Sequence, residues 1–211
     1  MSIAPNQPVD VRTQAVGAWK MNAYALVCPH TQASALVDPG AEPEALERLL
    51  SGTKPVAILV THTHPDHIGA LDMLRERLNV PLYAGAEPHA GGIKIHTDHI
   101  LHAGDEFKVG AHTVRVHATP GHCADQIAFQ VVGEPVILVG DAVFDGGPGR
   151  TDSVANFQTT LKTLRGVVLR WPDDAVCYPG HGPSFRLGDR RSAIEAFVAR
   201  EHGDFFGDAT W

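Results

Sequence analysis

The sequence predicts an α/β (α+β) protein in which β-sheets pack against each other and helices cover their outer faces. Short apolar runs of strand length alternate with segments in which apolar residues recur at helical spacing. Turn-forming residues, such as Asp38, Pro39 and Gly40, close several of these runs. Strand pairs interleaved with helices are typical of stacked sheets with helices outside. The order of the strands does not follow from the sequence.

The individual elements are predicted from periodicity and turn chemistry. Helices are expected at residues 42–50, 66–78, 157–169 and 189–200, where apolar residues recur on one face. Strands are expected at residues 23–28, 34–37, 56–60, 81–84, 106–109, 113–117, 126–132, 135–139 and 175–178. Pro43 stands early in the first helix, as helix starts prefer, and Gly110 with Ala111 turns a hairpin.

Composition and charge favour a single globular domain, residues 1–211, that does not bind nucleic acid. The chain is 44% apolar and 19% charged, which is ordinary for a folded protein. Its net charge is −7 and it has no basic run, whereas phosphate backbones are bound by clustered Lys and Arg. We therefore expect a small-molecule substrate.

The sequence also favours a soluble cytoplasmic protein that does not bind a membrane. Residues 1–10 lack the basic and apolar regions of a secretory signal. The longest apolar stretches, such as residues 56–60 and 136–139, are too short to span a bilayer. Three widely spaced cysteines predict free thiols in a reducing compartment.

The strongest functional motif begins where the predicted strand 56–60 ends. It places His62, His64, Asp66 and His67 within six residues. Side chains two apart in an extended chain point the same way, so His62 and His64 can bind one ion together. Asp66 and His67 stand where the next helix begins, and a second ion can be approached from there. A solvated polar loop is the alternative, and this density of ligand-type side chains disfavours it.

Three later strands also end in a residue of metal-ligand type. His122 closes a TPGH motif, Asp141 follows Gly140, and His181 lies in a PGHG motif. Glycine beside each ligand lets the backbone approach an ion or a substrate closely. Strand ends bring side chains to one edge of a sheet, where sites are expected. Each residue alone would be an ordinary loop residue, but together and in this order they predict a site.

These motifs resemble, in type and order, those of the metallo-β-lactamase superfamily from about residue 22 to residue 188. The resemblance implies a four-layer αβ/βα sandwich, two mixed β-sheets flanked by helices, with metals at one edge of the sheets. It implies two divalent metal ions, zinc foremost, with iron or manganese as alternatives. The implied ligands are His62, His64 and His122 for the first ion, Asp66, His67 and His181 for the second, and Asp141 as the bridge.

The same resemblance implies a hydrolase in which a metal-bridging hydroxide attacks a thioester or a related ester. A metal lowers the pKa of its bound water from about 16 to about 7, which supplies hydroxide near neutral pH. Asp66 and Asp141 are the expected catalytic residues. Asp66 orients the hydroxide and handles its proton, and Asp141 joins the two ions.

Residues 140–152 resemble the glyoxalase II and persulfide dioxygenase branch, and residues 179–188 resemble its single-domain glyoxalase II-like members. In that branch a basic residue nine positions after the bridging aspartate contacts glutathione, so Arg150 is the expected substrate-binding residue. An ion pair that orders the loop is the alternative role. The chain ends soon after its last predicted helix, and residues 153–156 depart from the pattern of the branch. The sequence therefore does not determine whether the thiol part of the substrate is glutathione.

Three other activities of the superfamily remain open: a mononuclear iron persulfide dioxygenase, a lactonase and a phosphodiesterase. In the dioxygenase, His62, His122 and Asp141 would hold the iron. An RNA-processing member should have a basic surface, and this chain is acidic. A non-catalytic relative should have lost a metal ligand, and none is lost here.

Several other residues invite functional interpretation. The remaining histidines between residues 86 and 117 are expected on the surface, with a pocket-lining loop at residues 86–99 as the alternative. Cys123 is expected to point away from the His122 site as an incidental thiol. For the aromatic tail, Phe205, Phe206 and Trp211, three roles stay open: a homodimer interface, a cover over the pocket, or a frayed terminus.

Overall fold

The computed structural model describes residues 7–211, and its strands form two six-stranded sheets. Residues 1–6, part of the segment in which no secretory signal is predicted, lie outside the described residues. The first sheet consists, in spatial order, of β1 Asp10–Val16, β2 Met21–Val27, β3 Ala33–Val37, β4 Lys54–Val60, β5 Leu82–Gly85 and β6 His99–Leu101. The second consists of β7 Glu106–Val109, β8 His112–Ala118, β9 Ile127–Val131, β10 Val136–Gly140, β11 Val176–Pro179 and β12 Phe185–Arg186.

Five α-helices occur within residues 7–211. They are α1 Pro43–Leu49, α2 Pro65–Ile68, α3 Leu71–Leu78, α4 Val154–Gly166 and α5 Leu187–Ala199. Ser153 caps α4, since its hydroxyl accepts a hydrogen bond from the Asn156 backbone amide. Over the described part of the chain, none of the helices has the length and apolar character needed to cross a bilayer. The three cysteines are free thiols, as predicted, and all are buried.

Both sheets are mixed, and their strand directions determine where the loops meet. In the first sheet β1 to β3 are antiparallel, whereas β3 to β6 are parallel. In the second, β7 to β10 alternate in direction, and β11 is parallel to β10. Strands β8, β10 and β11 therefore run in the same direction and end at the same edge of their sheet.

Apolar side chains form three layers, one between the sheets and one on each outer face. Leu59 and Leu138 lie in the layer between the sheets. Their neighbours point the other way: Ile58 packs under α1 and α3, and Ile137 packs under α4 and α5. Strands buried on both faces explain the continuous apolar runs in the sequence. The predicted arrangement of two mixed sheets flanked by helices is confirmed.

The prediction of one helix over residues 66–78 is wrong, because α2 and α3 are separate helices. A Cβ built on Gly69 would lie 2.4 Å from the carbonyl oxygen of Gly40. The backbone amide of Ala70 donates to the carbonyl of Pro39 over 2.8 Å. The chain at residues 38–40 thus packs directly on residues 66–70 and interrupts the helix. Strands β1, β6 and β12 were not predicted.

Substituting Gly69 with alanine should lower the free energy of unfolding by about 1–3 kcal/mol, the usual cost of overpacking, because the new methyl collides with Gly40. Urea denaturation measures this change. Gly166→Ala is the matched control, since a Cβ at Gly166 meets nothing within 4 Å. A Gly69→Ala protein as stable as the control would contradict the close approach.

Candidate metal centre

Four strand ends deliver the predicted ligands to one place between the sheets. His62 follows β4, His122 follows β8, Asp141 follows β10 and His181 follows β11. The segment after β4 also carries His64, Asp66 and His67 into α2. The structure therefore brings together all seven side chains that the sequence singles out as ligands.

Three histidine ring nitrogens converge on the first candidate position. The Nδ1 atom of His64 lies 3.1 Å from Nε2 of His62 and 2.8 Å from Nε2 of His122. Ligands of a tetrahedral zinc ion at about 2.05 Å stand about 3.3 Å from one another. The three nitrogens are therefore spaced like ligands of one ion.

A second group of donors lies directly beside the first. The Oδ2 atom of Asp66 is 3.1 Å from Nε2 of His181 and 3.8 Å from Nε2 of His67. Asp141 stands between the groups, with Oδ2 3.7 Å from Nε2 of both His122 and His181. Its Oδ1 atom is 3.5 Å from Nε2 of His67. One carboxylate thus faces both groups.

Two buried polar atoms in this cluster have no hydrogen-bond partner, namely Nε2 of His67 and Oδ1 of Asp141. Unpaired buried polar groups are costly, so their presence calls for a partner. The backbone leaves them room because Gly180 has no side chain. A Cβ at Gly180 would lie 2.2 Å from Oδ1 of Asp141 and 2.5 Å from Cε1 of His67. Nitrogen and carboxylate donors with this spacing fit divalent metal ions.

The hydrogen bonds behind the histidines fix which ring nitrogen faces the centre. Nδ1 of His67 donates to Oδ2 of Asp38 over 2.9 Å, and Nδ1 of His122 donates to the carbonyl of Arg150 over 2.7 Å. The hydroxyl of Thr61 donates to Asp38 over 2.7 Å, so it is free to accept from Nδ1 of His62 at 3.1 Å. In each case the Nε2 lone pair is left for a metal.

The pKa shifts of these groups follow from burial and from neighbouring charges. Burial, and then the neighbouring His67, hold the pKa of His62 well below its usual range, so His62 is neutral. Burial alone would lower the pKa of His67, but the carboxylates of Asp38 and Asp141 outweigh it and raise the pKa to about 10. Burial would raise the pKa of Asp141, yet the contacts with His67 lower it.

Asp38 is a functional residue that the sequence analysis missed, since it was assigned only to a turn. Besides His67, its carboxylate accepts hydrogen bonds from the backbone amide and the hydroxyl of Thr61, both over 2.7 Å. It follows β3, the parallel neighbour of β4, so the rule that located the other ligands at strand ends also applies to it. Asp38 positions His67 and the start of the segment that carries His62 and His64.

The side chain of Arg150 lies at the rim of the centre. Its guanidinium pairs with Oδ2 of Asp208 over 2.8 Å. Both residues line a pocket of about 480 Å³, together with His122, Asp141 and His181. The structure therefore contains an ion pair of the kind that the alternative role for Arg150 requires, and loop ordering by that pair stays a prediction. A role in substrate binding remains a proposal.

Three other sequence-based expectations are wrong in detail. The Sγ atom of Cys123 lies with the donor nitrogens of the first group, all within 4.8 Å of one another, rather than pointing away. Burial and the nearby Asp125 raise the pKa of this thiol above its usual range. His89 and His112 are buried rather than on the surface. His112 makes a 2.7 Å contact with Glu134.

The aromatic tail packs on its own chain beside the centre. The ring of Trp211 lies 5.7 Å from that of Phe197, and the ring of Phe205 lies 4.9 Å from that of Phe157. Phe206 is exposed. The tail therefore packs against α4 and α5, and its residues 208–210 line the pocket.

The family sequence model described as the metallo-β-lactamase superfamily matches residues 16–181, and this span contains every candidate ligand. The chain belongs to this superfamily. Its sandwich of two mixed sheets and the position of the donor cluster at one edge agree with that membership.

Individual members of the superfamily resemble the chain over most of its length. YqgX of Bacillus subtilis (strain 168), a probable metallo-hydrolase, is 32% identical over 191 residues, covering 82% of this chain and 90% of that protein. A hydroxyacylglutathione hydrolase of Chromohalobacter salexigens is 39% identical over 168 residues, covering 76% of this chain and 61% of that protein. The crystal structure of TTHA1623 in a di-iron-bound form has a TM-score of 0.71 at 28% identity, covering 84% of this chain and 96% of that one. These similarities support a metal-dependent hydrolase of the glyoxalase II-like branch.

Asp38→Asn should weaken metal binding about 10- to 100-fold, the usual effect of removing a partner that orients a ligand, because His67 loses its carboxylate. Competition with a chromophoric chelator measures the affinity. Asp10→Asn, which alters an exposed ion pair far from the centre in sequence, is the control. Unchanged affinity in a folded Asp38→Asn protein would remove Asp38 from the site.

Metal loading at about pH 8 should release protons, because the pKa of His67 is raised to about 10 and a metal must displace its proton. Affinity should accordingly fall as the pH is lowered. Calorimetric titrations in buffers with different protonation enthalpies count the protons. Asp38→Asn should release fewer, since it lacks one of the carboxylates that raise the pKa. A binding heat that is the same in every buffer would contradict the assignment.

Proposed function

We propose that this protein is a dinuclear metal-dependent hydrolase that cleaves a thioester or a related ester, with glutathione thioesters as the leading candidates. The observation that carries the proposal is the pair of donor groups that both adjoin Asp141, whose oxygens lie 3.7 Å from Nε2 of His122 and of His181 and 3.5 Å from Nε2 of His67. The similarity to a hydroxyacylglutathione hydrolase supports the thioester. Membership of a superfamily of metallo-hydrolases supports the reaction type.

Each donor group is suited to one ion. His62, His64 and His122 would hold the first, and Asp66, His67 and His181 the second, with Asp141 between them. Bound divalent ions supply a water that ionises near neutral pH and an electrophile for the substrate's carbonyl oxygen. The two carboxylates offset part of the charge of closely spaced cations, and the neutral imidazoles suit zinc.

Asp66 is the residue that we assign to proton handling. Burial would raise its pKa, but the hydrogen bond from His181 over 3.1 Å outweighs burial and lowers it. Asp66 is therefore an ionised carboxylate at neutral pH. Partly exposed and adjoining His67 in the second donor group, it can accept a hydrogen bond from the attacking water and orient it.

The pocket favours attack by water over a covalent mechanism. Among the described residues that line it, none is a Ser, Cys or Lys. The nearby thiol of Cys123 is buried and is not part of the pocket lining, so a substrate in the pocket does not meet it. The acyl group would therefore pass directly to water.

The completeness of the second donor group argues against a mononuclear iron dioxygenase. Such an enzyme needs His62, His122 and Asp141 but has no use for Asp66 and His181 as ligands. In this structure Asp66 and His181 face each other over 3.1 Å and both adjoin His67. A second ion is the simplest reason for that arrangement.

Zinc-loaded protein should hydrolyse S-lactoylglutathione. Asp141→Ala should reduce kcat/KM at least about 1000-fold. It should also lower the bound metal below two ions per chain, because one carboxylate serves both donor groups. Absorbance of the thioester and elemental analysis measure the two effects. Asp174→Ala, an exposed substitution, is the control.

Three outcomes bear differently on the proposal. Retention of two metals and of turnover by Asp141→Ala would refute the bridge. Failure of the dimetal protein to cleave any thioester would refute the thioesterase and direct attention to lactones and phosphodiesters. Oxygen consumption with a persulfide substrate would establish the dioxygenase instead.

A further inference from the structure

Opposite charges stand together at the mouth of the metal pocket. The Arg150 guanidinium and the Asp208 carboxylate are 2.8 Å apart, and their side chains are 65% and 79% exposed. Asp141 and His122, which line the same pocket, are only 9% and 13% exposed. The charged pair therefore lies at the rim, and the candidate metal ligands lie at the base.

Asp208 is held at this rim by the main chain of the tail. The backbone amide of Thr151 donates to the carbonyl of Gly207 over 3.2 Å, and the Gly207 amide donates back to the Thr151 hydroxyl over 3.3 Å. On the other side of Asp208, the Trp211 amide donates to the carbonyl of Gly146 over 3.2 Å, and its indole N–H donates to the carbonyl of Asp145 over 3.0 Å. The segment 207–211 is therefore attached on both sides of Asp208, and its residues 208–210 form one wall of the pocket.

The remaining surface of the pocket has few charges. Of the described residues that line it, Arg150 is the only Lys or Arg, and Asp208 is the only carboxylate besides Asp141. Phe144 and the glycines at positions 146 and 147 form an uncharged stretch. A substrate whose thioester reaches the base can thus place a charged end only at the Arg150–Asp208 pair.

We propose that the Arg150–Asp208 pair binds the zwitterionic end of an α-amino acid group carried by the substrate's thiol part. Arg150 accepts the carboxylate through its two parallel N–H donors, and Asp208 accepts the ammonium. This inference rests on the proposed function for the position of the thioester. It goes further by assigning to Asp208 the recognition of the substrate's ammonium group, and so a preference for a zwitterion over an anion.

The energetics favour a zwitterion over a simple anion. An exposed ion pair is worth about 0–1 kcal/mol, so the Arg150–Asp208 contact opens at little cost. A zwitterion replaces this one contact with two of opposite sign. A carboxylate without an ammonium would occupy Arg150 and leave the Asp208 carboxylate beside it, which is repulsive. Asp208 therefore selects for the ammonium.

Binding of a non-hydrolysable ligand tests the inference separately from catalysis. S-methylglutathione carries an ammonium and a carboxylate on its γ-glutamyl end, and N-acetylation removes only the ammonium charge. Calorimetry on the metal-loaded protein should show about tenfold tighter binding of S-methylglutathione than of its N-acetyl form, equivalent to about 1.4 kcal/mol.

Three variants identify the residues responsible. Asp208→Asn should abolish the preference for the free amine, and Arg150→Gln should weaken the binding of both ligands. Asp204→Asn is the matched control, since it removes the same charge from an exposed position of the same tail and should keep the preference. Circular dichroism checks that each variant is folded.

Two results would overturn the inference: equal or undetectable binding of the two ligands by the native chain, or an unchanged preference in Asp208→Asn. Turnover of S-lactoylglutathione is scored independently. Preferential binding without turnover would support recognition of the zwitterion and count against the thioesterase. Turnover without a preference for the free amine would support the thioesterase and count against recognition of the zwitterion.

Discussion

The carboxylate of Asp38 holds the parts of the centre in their relative positions. It accepts hydrogen bonds from the backbone and hydroxyl of Thr61 at the end of β4 and from the ring of His67 in α2. Thr61 in turn contacts the ring of His62, so one buried carboxylate sets the orientation of a histidine in each donor group. Buried charges persist only when they are fully hydrogen-bonded, and Asp38 meets this condition with three donors.

The centre is costly for the folded chain when it holds no ion. His67 and Asp141 each leave a buried atom without a hydrogen bond, and imidazole rings lie against one another, with centroids 4.0 Å apart for His62 and His67 and 4.5 Å apart for His64 and His122. The three apolar layers on either side of and between the sheets offset this cost. An ion that binds only the folded state stabilises it in proportion to the logarithm of its concentration over its dissociation constant. Metal content and stability are therefore linked in this fold.

Local patterns in the sequence predict most of what is local in the structure. The apolar runs gave most of the strands, including β4, β8, β10 and β11, and the ligands were found because they follow those four. Strands β1 and β6 lie at the edge of their sheet and lack a continuous apolar run, so pattern alone does not find them. The break between α2 and α3 depends on contact with Gly40, which is distant in sequence. The hydrogen bond between Asp38 and His67 and the contacts of the tail with residues 146 and 151 also join residues that are distant in sequence, so local patterns do not reveal them.

The tail is attached to the pocket largely through main-chain atoms, such as the carbonyl of Gly207 and the amide of Trp211. An attachment of this kind does not depend on the identity of the side chain at position 208. Position 180, by contrast, admits no side chain without displacing Asp141 and His67. The floor of the pocket is therefore closed to side-chain change at position 180, whereas its rim can exchange the side chain at position 208 without losing the backbone attachment of the tail.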